Sequence, residues 1–374
     1  VCVIGTRPEL IKMAPVVQAL RAAPQFRVSV LNSGQHRDLL APLADWFGVR
    51  FDDDLAVMTE DQSLASLTAR LMESFERYLG AARPALVIAQ GDTTTVLCAA
   101  LTCYYRGIAF AHVEAGLRTF DLANPFPEEL NRVVADQLAR FHFCPTGGAA
   151  RNVAAQGAAP GGVIVTGNTV IDALHFTLAK LERVPAPGPR HDVLLTAHRR
   201  ESFGAPLERV FAAVRQLVEE HPRLTVLYPV HPNPAVRGPA LRLLGGHPRI
   251  TLTEPLGYPE LVRAMRDARF ILTDSGGIQE EAPALGKPVL VLRSATERPE
   301  AVELGVAELV GTETESILAA CRRLIGDSSH YARMARGGSP YGDGRAAGRI
   351  RDTLLAALAQ KSIAPAGALD PRKA

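Results

Sequence analysis

The sequence predicts an α/β protein built from two Rossmann-like, doubly wound domains. Three observations carry that expectation. Apolar runs of strand length alternate with helix-length segments along nearly the whole chain. The strand runs are continuously apolar rather than alternating, which marks strands buried on both faces of a parallel sheet covered by helices. Midway, RVPAPGPRH at 183–191 interrupts the rhythm with four Pro or Gly residues, as a linker or hinge would, and the pattern then restarts. A chain of 374 residues exceeds one ordinary core, so two domains of roughly 150–200 residues each are expected.

The elements follow in order. VCVIG reads as a strand and ELIKMAPVVQALRAA as a helix; FRVSVLNSG and RDLLAPLADWFG repeat the pair. A helix around SLASLTARLMESFERYLG leads to the strand PALVIAQGD, and the helix TTTVLCAALTCYYRG leads to the strand IAFAHVEAG. EELNRVVADQLAR is a helix, followed by the strands FHFCPT and VIVTGN. Beyond the linker come the strand DVLLTAH, a helix over LERVFAAVRQLVEEH, the strands LTVLYPVH and ITLTEP, the helix PELVRAMRDA, and the strands RFILTDS and KPVLVLR. After about residue 327 short helical pieces end in GRAAGRIRDTLLAALAQ. The expected domains are 1–170, completed by the helix 343–360, and 171–342. The tail 361–374 lacks periodicity and is expected to be disordered. The two halves share the βα rhythm but no repeated residue identities.

Composition narrows the classes. The chain is 47% hydrophobic and 21% charged with a net charge of +2, and no cluster of basic and aromatic residues suggests nucleic acid. The longest apolar runs are strand-length, far short of the roughly 20 residues of a membrane span. No signal-peptide pattern is present, and a start inside a strand-like segment without Met suggests a trimmed beginning. Five cysteines without a CxxC suggest a reduced, cytoplasmic setting, with Cys98 and Cys103 in a core helix. Ten histidines without HxxxH or a Cys/His cluster suggest no metal.

In open α/β sheets ligands bind beyond the carboxyl ends of strands, and two such units joined by a hinge imply a cleft. Polar groups concentrate at those ends. Arg7 and Lys12 bracket the first strand–helix junction; surface charge is their ordinary fate, yet a helix N-terminus with cations is also an anion site. Asp92 could simply cap the helix that follows. Glu114, inside AHVEAGLRT, should be poorly solvated, and burial would raise its carboxyl and suit it to proton transfer. Glu128 and Glu129 are helix N-terminal acids, a role that accounts for one of them. His198 with Arg199 and Arg200 points to an anion, while His231 in PVHPNP could merely order its loop.

The strongest local signal is Ser275-Gly276-Gly277 after RFILTD. Serine can cap the helix, and the glycines let backbone N–H groups approach a diphosphate. The motif is neither GxxxxGK[ST] nor GxGxxG, which disfavours a nucleoside triphosphatase or nicotinamide enzyme. Glu280 and Glu281, one turn on, could accept hydrogen bonds from a ribose diol. Helix, diphosphate and ribose together indicate a nucleotide-sugar.

GTRPE, GQHR, GDTTT, HVEAGLRT, PFPEELNR, TAHRRESFG, PVHPNP, LTDSGGIQEEAPALGKPVLVLR, TERPE and YGDGRA occur in this order. Together they resemble the non-hydrolysing UDP-N-acetylglucosamine 2-epimerases over residues 1 to 355. Each motif is weak alone; the ordered set is specific. The resemblance implies two Rossmann-like domains with an interdomain active site, similar to the type-B glycosyltransferases. It implies interconversion of UDP-GlcNAc and UDP-ManNAc through UDP elimination to 2-acetamidoglucal, without a cofactor. It also implies a cytoplasmic homodimer serving cell-envelope polysaccharide synthesis. By motif, Asp92, Glu114 and Glu128 are similar to the catalytic carboxylates, and His198 to the histidine at the diphosphate. Arg7, Lys12, Ser275, Gly276, Gly277, Glu281 and Arg298 match substrate contacts, with Leu256 and Leu261 on the uracil side. Gln35, Arg199 and His231 resemble part of a second, activating UDP-GlcNAc site. Regulated members are expected to carry Gln three residues after Gln35, where this chain has Asp38, which argues against such control.

Alternatives on the same fold are a hydrolysing epimerase, an epimerase of a modified UDP-sugar, and a glycosyltransferase. A nucleotide-sugar-binding protein without turnover is the alternative of a different class; three carboxylate sites beside the UDP cradle argue against it.

Overall fold

Among the described residues, thirteen strands form two sheets in which every pairing is parallel. The structure is a computed structural model that describes residues 1–34, 37–59, 62–183, 190–336, 338–360 and 363, with backbone alone at 37–39 and 160. Gln35, the linker residues 184–189 and all but one residue of the tail 361–374 lie outside the described residues, as does the side chain of Asp38.

The first sheet contains β1 (Cys2–Ile4), β2 (Val30–Asn32), β3 (Asp53–Asp54), β4 (Leu86–Gln90), β5 (Ala109–Val113), β6 (Phe141–Cys144) and β7 (Val163–Val165), in the order 3-2-1-4-5-6-7. The second contains β8 (Val193–Thr196), β9 (Val226–Pro229), β10 (Ile250–Thr253), β11 (Phe270–Thr273), β12 (Val289–Val291) and β13 (Ala307–Leu309), in the order 10-9-8-11-12-13. Both are Rossmann orders. The direction of winding reverses between β1 and β4 in one sheet and between β8 and β11 in the other, which opens a crevice at those strand ends.

The strands β1, β8 and β11 at the switch points are buried end to end, as their apolar runs require. Helices Leu64–Ala82 and Thr94–Arg106 cover the first sheet through Leu71, Phe75, Val96 and Cys103, against Val87 and Phe110. In the second, Phe211 and Val214 of helix Ala205–Glu220 meet Val226, Tyr228 and Phe270. Burying each such large side chain contributes about 1.5–3 kcal/mol.

The chain divides into two compact units: Val1–Ala173 with the chain from Tyr341 onward, and Leu174–Pro340. Helix Ala346–Ala359 belongs to the first, where Asp172 accepts the N–H groups of Ala346 and Ala347 at 3.1 and 2.9 Å. Seven strands and α-helices go beyond the sequence expectation: β3, β13 and the helices Gly147–Ala155, Thr169–Leu181, Pro234–Leu244, Pro299–Glu303 and Thr314–Gly326. The first of these strands is two aspartates and the second has Glu308 at its centre, so neither shows an apolar run. All five cysteines are buried and unbridged, and burial pushes Cys98 and Cys103 up to about 12. Among the described residues, no helix is long and apolar enough to cross a membrane, and no cluster of His, Cys, Asp or Glu could hold a metal ion.

Candidate active site

In the first unit the polar groups gather at the switch point between β1 and β4. Glu9, in the first turn of helix Arg7–Arg21, is buried and ties the loops together. Its carboxylate accepts from Gly5 N (2.5 Å), Thr6 N (2.8 Å) and the Thr93 hydroxyl (2.6 Å). Burial raises its pKa, and those three donors offset only part of the rise.

Asp92 is not the cap of the helix after β4. Thr93 fills that position and accepts from Val96 N, while Asp92 pairs with Arg132 at 2.7 Å and keeps a side chain 31% exposed. Its backbone is held on both sides: His112 Nε2 donates to Gly91 O (2.7 Å) and Asn131 to Asp92 O (2.8 Å).

Glu114 is buried, as expected, and adopts a left-handed backbone with φ of +66°. That conformation costs a non-glycine residue about 1–2 kcal/mol. Phe143 O holds it by accepting the N–H groups of Glu114 (2.9 Å) and Ala115 (3.2 Å). The carboxylate is not a lone buried acid, however. Lys12 donates to both oxygens at 2.6 and 2.8 Å, Asn168 donates at 3.2 Å, and Gln90 donates as well. Lys12 is thus bound to Glu114, while Arg7 stands half-buried at the helix start.

Glu128 and Glu129 have separate fates. Glu129 is 1% exposed, and its Oε1 accepts the N–H groups of Thr119 and Phe120, both at 3.0 Å, which orders the preceding loop. Glu128 is half-buried and, among the described residues, has no ion-pair partner.

Behind these lies a buried cluster that was not anticipated. His112 Nδ1 meets Asp136 Oδ1 at 2.6 Å, and Asp136 Oδ2 accepts from Arg118 at 2.6 Å and from the Gly116 N–H at 3.1 Å. Burial alone would lower His112, but Asp136 and the Gly91 carbonyl overcome it and raise it. Burial alone would raise Asp136, but His112 and Arg118 hold it below its usual range. Both ring nitrogens of His112 face acceptors, as an imidazolium requires. One signal was available: Glu129, Arg132 and Asp136 recur at helical spacing on the buried face of helix Glu128–Leu138, where apolar residues would be usual.

In the second unit the switch point brings β8 and β11 side by side, with Thr196 paired to Thr273. His198 and Ser275, each two residues further on, therefore emerge at one edge. Ser275 occupies the N-cap position of helix Gly276–Ala284 but makes no capping bond with its side chain. Its N–H donates instead to the Thr273 hydroxyl at 2.9 Å. The two following glutamates diverge. Glu280 pairs with Arg298 at 2.8 Å, and Glu281 accepts from the buried Tyr258 hydroxyl at 2.5 Å. Burial, then Glu281, pushes the Tyr258 phenol well up. Arg298 also meets Glu297 Oε2 at 3.1 Å, and Arg293 meets the same oxygen at 3.1 Å. Burial opposes, but Arg298 and Arg293 hold Glu297 at about 2. This lattice fixes Arg298 at the helix N-terminus, where both fields favour an anion.

Leu256 precedes and Leu261 sits within helix Tyr258–Asp267, the helix that presents Tyr258 to Glu281; both leucines are half-buried. His231 does order its loop, accepting Asn233 N at 3.2 Å, and it also stacks on His198 with ring centroids 5.6 Å apart. Arg199 is half-buried and its N–H donates to Asp274.

The sequence model of the UDP-N-acetylglucosamine 2-epimerase family matches residues 18–355. The UDP-N-acetylglucosamine 2-epimerase of Bacillus subtilis is 44% identical over 356 residues, 94% of each chain. This chain belongs to the UDP-N-acetylglucosamine 2-epimerase family. The Escherichia coli K12 member is 43% identical, with 94% of this chain and 97% of that one covered. The crystal structure of the Neisseria meningitidis epimerase bound to UDP-GlcNAc superposes with a TM-score of 0.89 at 40% identity, covering 95% of this chain and 99% of that one. The Methanocaldococcus jannaschii epimerase in complex with UDP-GlcNAc and UDP gives 0.82 at 30% identity, over 95% and 99%. The family match and the strand orders agree on two Rossmann-like domains.

Proposed function

We propose that this protein interconverts UDP-GlcNAc and UDP-ManNAc without hydrolysis. The observation that carries the reading is the coexistence of two halves of one chemistry. Arg298 is locked against a glycine-opened helix N-terminus in the second unit, and Asp92, Glu114 and Glu128 stand at the strand ends of the first. Structures of relatives with UDP-GlcNAc and UDP bound support this ligand class.

The second unit holds UDP: Gly276 and Gly277 offer helix N–H groups and Arg298 a cation to the diphosphate, Glu281 accepts from the ribose, and His198 lies beside the phosphates. In the first half-reaction the C2 proton passes to a carboxylate of the first unit. The C1–O bond breaks, and its electron pair goes to the β-phosphate oxygen, which the cation and helix dipole stabilise. The C1=C2 bond of 2-acetamidoglucal forms. In the second half-reaction the β-phosphate oxygen re-adds at C1, and a proton reaches C2 from the opposite face. The C1–O pair that leaves with UDP returns when UDP re-adds, and the C2–H pair is held meanwhile in the C1=C2 bond, so the sugar undergoes no net oxidation and the steps balance without a nicotinamide. The family resemblance further supports a cytoplasmic homodimer that supplies cell-envelope polysaccharide synthesis.

The test is incubation with UDP-GlcNAc in D2O followed by proton NMR. UDP-ManNAc should appear, with deuterium at C2 of both sugars. Free ManNAc with UDP would establish a hydrolysing enzyme instead, and an unchanged spectrum would remove the epimerase reading for this substrate.

A further inference from the structure

Asp274 directly precedes Ser275, and its side chain is 1% exposed. Its Oδ2 accepts the backbone N–H groups of His198 (2.6 Å) and Arg199 (2.8 Å), which fastens the loop after β8 to the end of β11. Its Oδ1 is different. It lies 3.3 Å from His198 Nδ1, within ion-pair reach, but the contact is not aligned as a hydrogen bond. Among the described residues, Oδ1 has no hydrogen-bond partner. A buried carboxylate oxygen without a donor is costly, and a native fold that keeps one usually has a use for it.

The groups facing His198 are few. Asp274 lies at Nδ1, Arg199 adjoins it in the chain, and His231 stacks on the ring at an interplanar angle of 11°. His231 accepts a hydrogen bond from the Asn233 N–H at Nδ1. Tyr228, close to Asp274, has its hydroxyl committed to Ala197 O at 2.8 Å. Without ligand, burial lowers His198, Asp274 opposes, and Arg199 and His231 add to the lowering. The ring is then neutral near pH 7, and Asp274 Oδ1 waits without a proton to accept.

We propose that Asp274 is the positioning residue that makes His198 an imidazolium donor once a diphosphate is bound at Ser275–Gly277. The inference rests on the nucleotide-sugar function proposed above. A diphosphate at this helix end adds negative charge beside His198, and with Asp274 it outweighs Arg199 and His231. The ring takes a proton from solvent and keeps it. Nδ1–H turns onto Oδ1 and satisfies it, and Nε2–H is left for a phosphate oxygen. The oxygen that receives the C1–O electron pair then faces a cation held in place beforehand.

The experiment is a pH titration of the His198 ring resonances in histidine-labelled protein, with and without UDP. The resonances are assigned by their loss in His198→Asn, and UDP binding is measured separately by calorimetry. UDP should raise the titration midpoint of His198 by about one pH unit or more in the wild type. Asp274→Asn should still bind UDP but lose that rise. Its kcat should fall about 100-fold, with the alkaline limb of the kcat profile moved to lower pH. A purely structural aspartate would lower stability without moving either midpoint. A wild-type midpoint unmoved by bound UDP would overturn the proposal, and so would an equal rise in Asp274→Asn. A wild type that fails to bind UDP at all would overturn the nucleotide-sugar reading, and this inference with it.

Discussion

Gly276 and Arg298 are packed as closely as a glycine permits. A Cβ at position 276 would lie 2.7 Å from Arg298 Cζ and 2.8 Å from Nη1. The group in the way is the end of a flexible side chain, so a methyl there would displace the guanidinium rather than the backbone. Gly276→Ala should therefore leave the fold intact, because alanine is the better helix former by about 1 kcal/mol. It should weaken UDP binding roughly 10- to 100-fold, the equivalent of one lost charge-assisted hydrogen bond. Calorimetry with UDP beside a urea melt measures both; unchanged affinity would remove Arg298 from the phosphate site.

Lys12 and Glu114 form a buried pair whose side chains are 11% and 5% exposed. Lys12→Met leaves the buried carboxylate without its counter-charge and should destabilise the first unit by about 3 kcal/mol. Pairing it with Glu114→Gln should recover much of that stability and none of the turnover. A double-mutant cycle in urea, with activity measured alongside, checks both statements.

Glu128 and Glu129 are neighbours in sequence but should fail differently. Glu128→Gln should cut kcat by about 10²- to 10⁴-fold with little change in stability or UDP affinity, as expected for a proton-transfer group with no structural bond. Glu129→Ala leaves the Thr119 and Phe120 N–H groups unsatisfied and should cost about 1–3 kcal/mol of stability. A melt and a turnover assay on each variant separate the two; the reverse pattern would exchange their roles.

His112 gives stability a pH dependence of known sign. Its folded pKa is raised above the ordinary 6.5, so the folded protein keeps a proton that the unfolded chain gives up. Its stabilisation is complete below pH 6.5 and fades as pH rises through the folded value. Asp136 is depressed below its ordinary 3.8, so its contribution is complete above that pH and fades as pH falls through its folded value. The gap in stability between wild type and His112→Gln should thus be wider at pH 6 than at pH 9, with a value of about 3 kcal/mol at the lower pH. Urea melts at the two pH values test this.

What the sequence by itself determined was the architecture, and with it the strand ends at which the candidate site is proposed. Strands buried on both faces must be continuously apolar, so a parallel sheet shows itself in short windows. Turn and cap residues act within a few positions, so the polar strand ends and the Ser275-Gly276-Gly277 helix start were visible before any contact was known. The edge strands Asp53–Asp54 and Ala307–Leu309 escaped because the first is two carboxylates and the second is interrupted by Glu308, so neither reads as an apolar run. Tertiary structure alone decided which partner each polar group meets. Lys12 finds Glu114 across 102 residues, Glu280 and Glu281 separate onto Arg298 and Tyr258, and His112 couples to Asp136 behind Asp92. Those pairings depend on strand register and helix rotation, which set side-chain positions to within an ångström and leave no trace in local composition.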